Sequence, residues 1–144
     1  MLTGPATTRQ IETGLALLRF VTGVIFMAHG YQKFFMMGLD GTAGFFGGQG
    51  IPMAGIAAPM IATVELAGGA AFALGFLTRP LGVLLALDML GAITFVHAKN
   101  GFFVPMGIEF VMLLMTAAAT LAIAGPGSPA LDRILFKRNT VSRE

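Results

Sequence analysis

The stretch TGLALLRFVTGVIFMAHGYQKF, residues 13–34, decides the fold. It is predominantly apolar, with Arg19, His29 and Lys33 as its basic residues, and as a helix it reaches about 33 Å, enough to cross a bilayer's hydrocarbon. The stretch is expected to be a retained span and not a cleaved signal peptide. Arg19 interrupts the apolar run, the run is longer than a signal core, and it ends in His29-Gly-Tyr-Gln-Lys33 instead of a small-residue cleavage site. Working outward, three further apolar segments follow at 54–76, 80–98 and 105–124. Thr78-Arg79-Pro80 puts a proline in a first helical turn, and His97-Ala-Lys99-Asn100-Gly101 makes an interfacial turn. A membrane β-barrel needs at least about eight alternating segments, which this chain lacks. The expected fold is an all-α transmembrane four-helix bundle in one membrane domain, residues 1–144, with lipid as its main partner.

Composition agrees. Of 144 residues 56% are apolar and 11% charged, with 20 Gly, 13 Phe and 10 Met; an ordinary soluble domain carries roughly 25% charge. The absence of cysteine excludes disulfides, thiolate metal sites and thiol redox chemistry carried by the chain itself. The net charge of +2 comes largely from Arg133, Lys137, Arg138 and Arg143 in the tail. No folded basic module suggests a nucleic-acid partner.

Arg9, Arg79 and the four tail cations fall on one side of a four-span topology, and Lys33 and Lys99 on the other. Positive charge marks cytoplasmic loops, so both termini are expected in the cytoplasm of a multi-pass protein of a bacterial or archaeal plasma membrane. The outer loop 35–53 holds six glycines with Phe45, Phe46, Met36 and Met37. It is too greasy for a plain solvent loop, and reads either as an interfacial cap over the bundle or as a loosely ordered linker. After Gly125-Pro-Gly-Ser-Pro129 the last span cannot continue, and the tail 126–144 has the amphipathic pattern of a short surface-lying helix.

Each span carries an ionisable residue: Arg19 and His29 in the first, Glu65 in the second, Asp88 in the third, Glu109 in the fourth. A charge in hydrocarbon costs at least a few kcal/mol, so these groups are expected to face one another or a wet cavity. Spacing by three and four collects Arg19, Thr22, Phe26, His29 and Lys33 on one stripe. The same rule gives Glu65, Gly68, Phe72 and Gly75; Leu84, Asp88, Gly91 and Phe95; and Glu109, Met112, Thr116 and Ala119. At about 1.5 Å per residue, Glu65 and Asp88 lie near the midplane, with Arg19 about 7 Å to the cytoplasmic side and His29 and Glu109 about 7 Å to the outer side. The expected structural clamp is therefore Arg19 with Glu65 or Asp88, while His29, Glu109 and Lys33 cluster above it. Three carboxylates against one guanidinium imply that one carboxylic acid stays neutral or shares a proton.

No short-spaced ligand motif supports a metal site. His29 and His97 differ in height too much for a haem between them, and no nucleotide loop or Ser/Cys nucleophile is present. No intrinsic cofactor is expected. An amphipathic, isoprenoid-like molecule suits the pattern better: its head would reach His29, Lys33 and Glu109, and its tail would lie along Phe and Met side chains.

The run Leu17 to Phe34 resembles the first-span signature of the DoxX family of small bacterial and archaeal membrane proteins. Glu65-Leu-Ala-Gly68-Gly69 and Leu77-Thr-Arg79-Pro80-Leu-Gly82 are similar to its second landmark. The resemblance covers about residues 15–124, with family-like positions Arg19, Gly23, Phe26, His29, Gly30, Lys33, Glu65, Gly68 and Gly69. It implies a four-helix membrane protein. Some relatives are associated with thiosulfate oxidation coupled to quinone reduction, others with redox complexes or oxidative stress. Two functions follow as expectations. One is a redox-associated subunit, working with a redox enzyme partner and binding a quinone or similar molecule, in which His29 and Glu109 exchange protons. The other is a non-enzymatic carrier, sensor or assembly subunit. Glycine-rich helix faces would serve packing within one bundle or in a homo-oligomer.

Overall fold

A computed structural model describes residues 4–136. Lys137, Arg138 and Arg143, which enter the charge count and the tail pattern above, lie outside the described residues. The described chain is helical. Helix α1 (Thr8–Tyr31) starts at a capping box, in which the Thr7 hydroxyl accepts from Gln10 N at 3.3 Å and Gln10 Oε1 accepts from Thr7 N at 2.7 Å. It continues through a π-helical turn, Gln32–Met36. Helix α2 (Gly38–Gly48) follows, then α3 (Ala54–Thr63), a second π turn (Val64–Gly68) and α4 (Gly69–Leu74). Helix α5 (Thr78–Ala92) runs into a third π turn (Ile93–His97) and a short 3₁₀ turn to Asn100. Helices α6 (Glu109–Ala124) and α7 (Leu131–Leu135) complete the described chain.

Three continuous helices, Thr8–Met36, Ala54–Leu74 and Thr78–Asn100, are long and apolar enough to cross a membrane. The fourth apolar helix, α6, has 16 residues and reaches only about 24 Å. Residues 105–108, expected to open it, are taken up by a tight turn instead. Ile108 N donates to Gly101 O at 3.0 Å and Glu109 N to Phe102 O at 2.9 Å, folding the Phe102–Gly107 segment over the helix start.

Small residues set the packing. A Cβ on Gly30 would lie 2.3 Å from Leu66 N, and one on Gly23 2.5 Å from Ala73 N, so α1 and the 54–74 helix touch backbone to backbone. Gly82 plays the same part between α5 and α6, where a Cβ would meet Ala118 O at 2.8 Å. Between these pairs lies a core of Phe26, Phe72, Leu85, Met89, Val111, Leu114, Ala118 and Leu121. The outside of the bundle is equally apolar: Leu17, Phe20, Val21, Leu113 and Ile123 are all exposed. So broad an apolar exterior belongs against acyl chains.

The loop expected at 35–53 is mostly helix. Thr42 and Phe46 are buried, and Thr42 Oγ1 donates to Lys33 O at 3.1 Å, so contacts to the bundle override the poor helix propensity of the glycines. At the other end, residues 126–135 fold back onto the bundle. Asp132 accepts from Leu77 N at 2.7 Å and Thr78 N at 2.9 Å, placing a carboxylate at the N-terminus of α5. Arg133 pairs with Glu12 at 2.7 Å.

Candidate functional site

The polar groups of the spans separate into a tail-end lock and a central cavity. Arg19 belongs to the lock. Its Nε donates to Ala73 O at 3.3 Å and its two terminal nitrogens to Pro126 O and, at 2.9 Å, Pro129 O. This corrects the expected clamp of Arg19 with Glu65 or Asp88. Helical side chains lean toward their own N-terminus, so Arg19 reaches toward the tail end, away from the midplane.

The same lean takes Lys33 down into the bundle. Its ammonium meets Glu65 Oε2 at 2.5 Å, with the two side chains 16% and 4% exposed. The Asp88 carboxyl lies beside that of Glu65, and Asp88 Oδ2 is buried without a hydrogen-bond partner among the described residues. These three side chains line a cavity of about 500 Å³. Its walls are apolar: Phe45 and Phe46 from α2, Met60 and Ile61 from α3, and Leu84, Leu87, Gly91 and Phe95 from the α5 helix. The third-span stripe of Leu84, Asp88, Gly91 and Phe95 thus lines the cavity in full.

Three of the cavity's four polar residues lie in π turns: Lys33 in the first, Glu65 in the second and His97 in the third. Each wide turn adds a residue to its helix and so rotates the side chains beyond it by about 100° relative to a regular helix. The site is built from this re-aiming. It was not visible in the sequence, where no proline or glycine pair marks the three turns together.

His97 was expected at an interfacial turn and not in the site. It lines the cavity, with Nδ1 2.8 Å from Met106 O. The carbonyl can only accept, so Nδ1 carries the proton. Lys99, which follows, donates to Gln49 just past α2, tying the segment beneath α2 to the far wall.

His29 and Glu109 are not among the residues lining the cavity, which corrects their expected pairing beneath Lys33. Ten residues at about 100° each place His29 about 80° away from Arg19 on a straight helix, while Gly30 falls within about 20°. Gly30 is buried accordingly and His29 is exposed. Glu109, leaning toward the start of α6, accepts from Val104 N at 2.6 Å and stabilises the turn that precedes it.

Residues 14–98 match the DoxX family, a segment that holds Arg19, Lys33, Glu65, Asp88 and His97 together. The chain belongs to the DoxX family. It is similar to the protein named Putative oxidoreductase CatD of Bacillus subtilis, with 43% identity over 130 residues, covering 90% of this chain and 92% of that one. It is also similar to inner membrane proteins YphA and YqjF of Escherichia coli. YphA is 37% identical over 83% of this chain and 88% of its own length, and YqjF 29% identical over 88% and 95%. No solved structure matches this DoxX protein.

Proposed function

We propose that this DoxX-family membrane protein is a redox-associated subunit that holds a quinone-like, lipid-soluble molecule in the central cavity. The observation that carries it is a cavity lined by one polar cluster, Lys33, Glu65 and Asp88, and otherwise mainly by apolar side chains. A ring bearing oxygens would sit at the polar cluster, and an isoprenoid tail would lie against Phe45, Phe46, Met60 and Phe95 and leave toward lipid. A volume of about 500 Å³ is in the range of small-molecule sites. The name of the Bacillus relative supports the redox association. The carrier or sensor function differs only in whether the bound molecule is transformed, and uses the same cavity.

In this proposal the chain crosses the inner membrane four times with both termini in the cytoplasm. The polar site is then reached from the α2 side. The test is mass spectrometry of small molecules and proteins that survive gentle detergent extraction. A quinone should be recovered with the wild type and reduced at least tenfold in Asp88→Leu or Lys33→Met of equal yield. Extracts without any quinone, or with the same amount in the variants, would refute the assignment.

A further inference from the structure

The charges around the cavity balance only when one proton is counted among them. Among the described residues its titratable side chains are Lys33, Glu65, Asp88 and His97. Lys33 meets Glu65 Oε2 at 2.5 Å, and that ammonium and carboxylate cancel each other. The Asp88 carboxyl is in hydrogen-bond contact with that of Glu65. A carboxylate can only accept, so the contact requires a proton shared by the two groups. That proton belongs mainly to Asp88: Glu65 has the ammonium to hold its negative charge, whereas Asp88 Oδ2 is buried and receives no hydrogen bond from an N–H or hydroxyl of the described residues. With the proton in place the Lys33, Glu65 and Asp88 cluster is neutral. Without it, one negative charge is left uncompensated against apolar walls, which is costly.

From this one-proton cluster on an apolar cavity, we propose that protonated Asp88 donates a hydrogen bond to a carbonyl oxygen of the bound ligand, so that a quinone-type molecule is held only while the cluster carries its proton. The proposal rests on the cavity being a quinone-type site and adds which residue holds the carbonyl and what proton count binding needs. When a carbonyl oxygen arrives, the Asp88 O–H turns from Glu65 to the ligand, and Glu65 stays compensated by Lys33. The deprotonated cluster meets the same oxygen with a negative charge and acceptor lone pairs, and its one ammonium then serves two carboxylates. Where the empty cluster has lost its proton, binding takes one proton from solvent and moves no electron, so affinity falls as pH rises, by up to about tenfold per pH unit. Other titratable groups stand nearby. His97 lines the same cavity, His29 on α1 is exposed within electrostatic reach of Lys33 and Glu65, and Glu109 on α6 is held by Val104 N. Asp88→Asn keeps all of them together with the Lys33–Glu65 pair, so their titration enters its profile and the wild type's alike.

The experiment measures duroquinone binding to the purified full-length protein in detergent, by calorimetry, at pH 6 and pH 9. The wild type should bind at least tenfold more tightly at pH 6. Asp88→Asn, whose amide donates but does not titrate, should bind within threefold of the wild type at pH 6 and change by no more than threefold at pH 9. Asp88→Leu, of similar size and without a donor, should bind at least tenfold more weakly than Asp88→Asn at both. Should Asp88→Asn fail to fold, wild-type calorimetry at pH 9 in two buffers of different ionisation enthalpy counts the protons taken up on binding, with more than half a proton per duroquinone expected. Equal wild-type affinity at the two pH values, binding without proton uptake at pH 9, an Asp88→Asn profile as steep as the wild type's, or Asp88→Asn binding as weakly as Asp88→Leu overturns the proton-linked donor and leaves the quinone-type site standing. Binding of duroquinone at neither pH overturns both.

Discussion

At the scale of single residues, one geometric rule decides three assignments. Arg19, Lys33 and Glu109 each lean toward the N-terminus of their own helix, so Arg19 reaches the tail end, Lys33 the interior, and Glu109 its own preceding turn. The identity of the polar groups and their order along the spans were legible in the sequence. Their partners were not, because depth along the axis does not include the direction in which a long side chain leans. His29 is absent from the cavity lining for a second reason: a spacing of three and four drifts off a straight helix over ten residues. The Lys33–Glu65 pair gives the sharpest expectation. Lys33→Met leaves a buried carboxylate uncompensated and should cost about 3 kcal/mol or more, read as a lowered thermal unfolding midpoint in detergent. Adding Glu65→Gln should recover most of the loss; a double variant as unstable as Lys33→Met would exclude the pair as the cause.

At the scale of elements, the apolar segments were legible because about 20 continuous apolar residues admit few alternatives. Helix α2 was not, since its glycines favour a loop and only contacts such as Thr42 to Lys33 O and the burial of Phe46 hold it helical. The π turns were hidden as well, being fixed by the groups they bring together and not by local propensity. The close approach of α1 to the 54–74 helix supplies a test at this scale. Gly30→Ala would put a methyl 2.3 Å from Leu66 N, forcing backbones apart and destabilising the bundle by about 2 kcal/mol or more, in the manner of an overpacked core. Gly14→Ala, on the same helix with nothing within 4 Å, should be neutral or stabilising by up to about 1 kcal/mol. Paired thermal melts check both; equal behaviour of the two variants would contradict the backbone contact.

At the scale of the whole molecule, the apolar exterior and three long helices follow from composition, while the reach of α6 depends on the turn before it. The proposed four-crossing topology has a direct readout, because the chain has no cysteine and single cysteines can be introduced at will. Gly4→Cys should be shielded from a membrane-impermeant maleimide in intact cells, and Gly48→Cys, exposed at the end of α2, should be labelled. Labelling at Gly4→Cys in intact cells would reverse the orientation. Arg19, Asp132 and Arg133 bind the helices together at one end, whereas the described cross-links at the other are as slight as Lys99 to Gln49. Such a bundle resembles a tuning fork held by its stem: filling the interior is expected to displace the tines, on the face that carries α2, more than the stem.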